Sequence, residues 1–198
     1  MADSTTDKSM MYRLIKERGA NQLDDLTLGL VNSMRYSDHN VVYPSGEAKP
    51  GDGVDPEWFI PAYKGTNGFS EMNAIIQYIS QEAMWEDIGQ LMMGIALVEM
   101  KHLDKLGDLI LDLGGNIHTQ KYETTHVEYG TSAEDAVRPG IKAEKETIAN
   151  YNTIIDKIKP LPKNETTKKC LGLLAKLIAD EQFHVELFEA WLRGENVD

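Results

Sequence analysis

A single cysteine, Cys170, stands in the whole 198-residue chain. That excludes a disulfide within the chain and any four-cysteine iron or zinc site. Its place on an apolar helical stripe marks it as a small core residue. Basic residues are also scarce: 20 Lys and Arg stand against 32 Asp and Glu, a net charge of −12. Such a surface repels phosphate backbones, so no nucleic-acid partner is expected. The same acid excess is suited to collecting cations. No apolar run approaches the ~18 residues that would cross a bilayer, so no membrane partner is expected. The opening Met1-Ala-Asp-Ser-Thr-Thr-Asp7 lacks the apolar core of a signal peptide, and a cytoplasmic location follows as the expectation.

What remains is the mix of a globular protein, 41% hydrophobic and 26% charged, of a size for one domain with an appendage. The residues are organised around two helical stripes. Cys170, Leu174, Leu177, Glu181, His184, Phe188 and Trp191 recur in steps of four and three, which is one face of a helix. Ile88, Met92, Ile95, Glu99, His102, Leu106, Leu109 and Leu113 repeat that rhythm. Each stripe is apolar except for one Glu-x-x-His. A buried carboxylate beside a buried imidazole is unfavourable by several kcal/mol unless compensated, and a divalent metal is the strongest compensation. One Glu-x-x-His arises readily by chance; two in matching apolar stripes do not.

Residues 1–65 read as a polar start, a helix over 22–36 with Leu23, Leu26, Leu30 and Met34 on one side, and an irregular arm rich in Pro and Gly from Ser37. Trp58, Phe59, Ile60 and Tyr63 of the arm need a covering surface, and a neighbouring subunit is the expected one. Residues 66–198 read as four helices. The first is capped within Thr66–Ser70 and needs a break at Met84–Asp87. The second stops at Gly114-Gly115. A long polar crossover follows over 116–131. Thr131 with Glu134 is expected as a capping box, and Pro139-Gly140 should split off a short leader from a third helix running to Lys159. Asn164 should cap the fourth.

Glu71-Met-Asn-Ala-Ile-Ile-Gln-Tyr78 matches Glu144-Lys-Glu-Thr-Ile-Ala-Asn-Tyr151, and each precedes a Glu-x-x-His helix, so one helical hairpin is duplicated. In an antiparallel hairpin, residues equidistant from the turn face each other. Glu71 and Glu99 are centred on Trp85, inside the break. Glu144 and Glu181 are centred between Pro162 and Lys163, inside a turn. Stacked hairpins place Glu71, Glu99, His102, Glu144, Glu181 and His184 in one layer of a four-helix bundle, the ligand set of dinuclear carboxylate proteins. Glu82 and Glu146 are rival candidates nearby. His39, His118 and His126 lie in loops and take no role.

The pattern Glu71…Glu99-x-x-His102…Glu144…Glu181-x-x-His184 resembles the ferritin-like superfamily, most nearly its rubrerythrin-like and manganese-catalase-like members, over roughly residues 66–193. The resemblance implies an all-α, ferritin-like four-helix bundle with one long crossover, behind the irregular N-terminal arm. It implies two Fe or two Mn ions per subunit, Glu99 and Glu181 bridging, Glu71 and Glu144 terminal, and one of His102 and His184 to each ion. Asp180 would hold a ligand histidine from behind. Tyr78 and Tyr151 would bond ligand carboxylates or donate electrons, or simply fill the core. The activity implied is a peroxidase- or catalase-like oxidoreductase acting on peroxide or dioxygen in a homo-oligomer, with an electron donor the residues do not identify.

The chain departs from both patterns. It lacks the cysteine module of rubrerythrins, has Thr147 where they carry a further Glu, and shows Tyr151 where manganese catalases tend to place a Lys. The alternatives are a ferroxidase or iron-storage protein, and a structural coat protein on the same scaffold. Few residues follow Trp191, so the extra C-terminal helix of classical ferritins is not expected.

Overall fold

The computed structural model describes residues 34–65, 69–118 and 127–197. Those residues form five α-helices and no strand: α1 (Ile60–Lys64), α2 (Glu71–Met84), α3 (Gly89–Asp112), α4 (Ala133–Ile158) and α5 (Glu165–Leu192). α2 packs along α3 and α4 along α5, and the two hairpins close a four-helix bundle. Most of the helix expected over 22–36, the middle of the crossover and His126 lie outside the described residues. At the end of that span, Met34–Tyr36 form a 3-10 turn.

The helix ends follow local chemistry. Ser70 and Asn164 cap α2 and α5, and Asn164 with Thr167 makes a reciprocal capping box. α3 ends where Gly114 takes a φ of +84°, which lets the Gly115 N–H return to the Ile110 carbonyl. The break after α2 is present without Pro or Gly. Trp85 is extended, a 3-10 turn covers Glu86–Ile88, and the Trp85 indole donates to the Tyr129 carbonyl at 3.2 Å. A tertiary contact thus holds the break open.

Three expectations are corrected. Pro139 does not divide α4, which is continuous from Ala133 to Ile158. Ala136, Val137 and Gly140 around it are packed inward, and Gln81 donates to the Ala136 carbonyl, so packing outweighs the lost hydrogen bond. The cap of α4 is Ser132, which accepts from the Asp135 N–H, and not Thr131 with Glu134; Thr131 bonds the Asp135 carboxylate instead. The arm covers its own bundle, where a neighbouring subunit was the expectation. Phe59, Ile60 and Ala62 are fully buried among Leu106, Leu109, Ile154 and Leu174. The four helices alone do not fill that end of the core, and a 3-10 turn at Pro56–Trp58 with α1 completes it.

The apolar core is accordingly in two parts. One joins the arm to the far halves of α3, α4 and α5, from Leu106, Tyr151 and Leu177 outward. The other holds Tyr36, Tyr78, Ile88 of the 3-10 turn, Leu91, Met92, Ile95, Ala96 and Val98 of α3, Val137 and Phe188. Between them lies one polar layer, described next. If the arm is integral to the core, Phe59→Ala will destabilise the protein by about 3–5 kcal/mol, the usual loss for a buried aromatic. Chemical denaturation of the full chain measures it, and a change below about 1 kcal/mol would show the arm to be an appendage.

Candidate metal centre

Each bundle helix contributes to the polar layer. Glu71 is the first residue of α2, directly after its cap. Glu99 and His102 lie one turn apart on α3, Glu144 lies on α4, and Glu181 and His184 lie one turn apart on α5. None of the six is more than 2% exposed. The long-range pairing expected from the duplicated hairpins therefore brings all six together.

Their ligand atoms form two overlapping quartets, Glu71, Glu99, His102 and Glu181, and Glu99, Glu144, Glu181 and His184. Within each quartet these atoms lie within 4.8 Å of one another. The overlap is reproduced oxygen by oxygen. Glu99 places Oε2 3.0 Å from His102 Nδ1 and Oε1 3.0 Å from His184 Nδ1. Glu181 places Oε1 3.3 Å from His102 Nδ1 and Oε2 3.2 Å from His184 Nδ1. Glu71 stands 3.5 Å from His102 Nδ1 only, and Glu144 stands 3.7 Å from His184 Nδ1 only. The two rings are nearly parallel, 6.2 Å between centroids.

Both imidazoles present Nδ1 to the carboxylates, and their other nitrogens fix the tautomer. His184 Nε2 faces the Tyr36 carbonyl at 3.0 Å; a carbonyl only accepts, so Nε2 carries the proton. His102 Nε2 faces Asp180 Oδ2 at 3.0 Å. Although burial raises the Asp180 pKa, His102 and Lys176 outweigh it and keep Asp180 ionised. Asp180 thus backs His102, on the opposite helix.

The tyrosines reach across. Tyr78 donates to Glu144 and Tyr151 donates to Glu71, so each steadies a carboxylate of the other hairpin. Burial, then the Glu144 charge, holds the Tyr78 phenol well above its ordinary pKa, so it remains a donor. Glu146 is exposed, Glu82 is half-buried, and His39 and His118 are exposed, so these rivals lie outside the layer. Four contributors were not foreseen: the Tyr36 carbonyl, Ser37, Asp38 and Lys176. A backbone carbonyl has no sequence signature. Lys176 had one, since it stands four residues before Asp180 on the same helix.

The donor set fits divalent metal ions. Glu99 Oε1 and Glu181 Oε1 are buried and accept no well-aligned hydrogen bond, each having only an imidazole Nδ1 nearby, at 3.0 and 3.3 Å, and such acceptors are unfavourable unless something else meets them. Four carboxylates with two neutral imidazoles carry the charge that two divalent cations cancel. Without cations the layer settles through protons. Burial and then the neighbouring carboxylates push Glu71 and Glu144 well above 4.5. Burial lowers His102 and His184, but the carboxylates outweigh it and raise both well above 6.5.

These shifts have one sign for stability. The folded protein holds protons that the unfolded chain has released, so metal-free stability falls as pH rises above about 6.5. Thermal unfolding in chelator should show a melting temperature that declines from pH 6.5 to 9. Manganese(II), which takes the place of those protons, should flatten the decline. A melting temperature that rises with pH in chelator would contradict the assignment of charge.

A model of the ferritin-like domain matches residues 70–195. No curated protein matches the sequence. Among solved structures, the bacterioferritin BfrA of Mycobacterium tuberculosis superposes with a TM-score of 0.59 at 20% identity, over 75% of this chain and 87% of that one. KatB, a manganese catalase from Anabaena, superposes with a TM-score of 0.59 at 21% identity, over 77% of this chain and 76% of that one. Because the match spans all four bundle helices and the whole polar layer, the chain belongs to the ferritin-like family.

Proposed function

We propose that this protein is a di-iron or di-manganese carboxylate oxidoreductase acting on hydrogen peroxide or dioxygen. The observation that supports it is the sharing of Glu99 and Glu181, each of which offers one oxygen toward each histidine. Two carboxylates so placed suit a pair of ions side by side, with Glu71 and His102 completing one position and Glu144 and His184 the other. Two redox-active ions held there would exchange electrons with peroxide or dioxygen.

The chain's own residues prepare for that chemistry. The two apolar clusters on either side keep bulk water from the layer. Tyr151 holds Glu71 by Oε1 and leaves Oε2 facing His102, whereas Tyr78 donates to Glu144 Oε1, the oxygen that also faces His184. Disproportionation of peroxide balances on peroxide alone. Its reduction to water takes two electrons and two protons from a donor outside the chain. Likeness in fold to a manganese catalase supports the peroxide reading; likeness to a bacterioferritin supports a second, oxidation and storage of ferrous iron in a homo-oligomeric shell.

His184→Ala removes the nitrogen of one position, so bound metal should fall below the about two ions per chain of a dinuclear bundle. Elemental analysis decides, and full retention of two ions would sink the ligand assignment. Manganese- or iron-loaded protein should consume hydrogen peroxide, with oxygen release marking disproportionation. If no peroxide disappears with or without reductant, the enzyme reading fails. Sedimentation as a large hollow shell, with ferrous iron oxidised in excess of two per chain, would favour storage.

A further inference from the structure

The two halves of the polar layer differ in what stands behind the histidines. Both supports come from one short stretch, Tyr36-Ser37-Asp38, which lies outside residues 70–195 matched by the family. The Tyr36 carbonyl holds His184 Nε2 directly. The Asp38 N–H, at 2.6 Å, and the Ser37 hydroxyl, at 3.0 Å, both donate to Asp180 Oδ1, whose other oxygen holds His102. Lys176, 3% exposed, closes the arrangement. Its ammonium reaches Asp180 Oδ1 at 2.6 Å, the Asp38 carbonyl at 2.6 Å and Ser37 Oγ at 2.9 Å.

The stretch is fitted to the bundle. The Tyr36 ring lies against α3 where Gly94 leaves room for it. A Cβ at Gly94 would sit 2.1 Å from the ring, far inside contact distance. The halves are nevertheless unequal. The residue before Glu181 is the charged Asp180, while the one before Glu99 is the apolar Val98. A histidine that donates to a carboxylate is a more basic ligand than one that donates to a carbonyl.

We propose that Tyr36–Asp38 is a clamp that positions both histidines of the candidate metal centre and makes its two ion positions unequal, the one at His102 being the tighter. The inference rests on the reading that the six residues hold two ions. Tyr36, Ser37, Asp38, Asp180 and Lys176 are positioning residues and do not touch the ions. Gly94 acts one step further out, through the Tyr36 ring.

The test is titration of the metal-free full chain with cobalt(II), followed by calorimetry and by the visible spectrum of the bound ion. The wild type should show two resolved steps. Asp180→Asn removes the charge behind His102 and should weaken the first step about 10–100-fold, leaving the second in place, so the steps draw together. Gly94→Ala displaces the Tyr36 ring, and with it both supports, and should weaken both steps. Should that variant fail to fold, Lys176→Met stands in, with a selective loss at the first step. Leu113→Ala, at the far end of the core, should lower the melting temperature and leave both steps unchanged.

Wild-type affinities in both Asp180→Asn and Gly94→Ala would overturn the clamp while leaving the metal site intact. Equal weakening of the two steps by Asp180→Asn would overturn the inequality. A wild type that binds no cobalt would overturn the metal reading itself, and the clamp with it.

Discussion

Four carboxylates buried side by side between two apolar clusters are the constraint on which the rest of this structure turns. Ionised together, they repel through a medium that screens poorly. Burial and the neighbouring carboxylates push Glu71 and Glu144 toward their protonated forms, the carboxylates raise both histidines, and Glu99, flanked by both rings, is held well below its usual range despite burial, which by itself would raise its pKa. Every hydrogen bond into the layer is arranged around that charge. Tyrosine hydroxyls meet the outer carboxylates, and imidazole Nδ1 atoms meet the shared ones.

Such a layer is tolerable only because the bundle on either side is well packed. The apolar stripes of α3 and α5 run past it in both directions, from Ile88 to Leu113 and from Cys170 to Phe188, so each Glu-x-x-His is anchored at both ends by buried aliphatic and aromatic side chains. The arm finishes one of those ends with Phe59 and Ile60 and reaches the layer itself with Tyr36. Core and site are therefore not separable: the side chains that complete packing also set where the ligand nitrogens point.

Much of this was legible beforehand because helix periodicity is a local property. A carboxylate and an imidazole three apart on an apolar stripe share a face whatever the tertiary fold, so Glu99 with His102 and Glu181 with His184 could be paired directly. The hairpin geometry added Glu71 and Glu144 because short antiparallel connections fix which residues lie level. Asp180 was legible as a neighbour of Glu181, though not the identity of its partner. Pro139 misled because its intrinsic preference was outweighed by packing around Val137 and Gly140.

The sequence by itself determined what repeats: an all-helical chain, two Glu-x-x-His stripes, a duplicated hairpin and six ligand-type residues destined for one level. Local periodicity and chain connectivity are enough for that. Only the tertiary structure decided that Tyr78 and Tyr151 cross to the opposite hairpin's carboxylates, that Asp180 serves His102 rather than its near neighbour His184, and that a backbone carbonyl serves the other ring. It also decided that the Pro- and Gly-rich arm folds onto its own bundle. These are contacts between segments far apart in the chain, several made by backbone groups that every residue possesses, so no residue pattern can announce them.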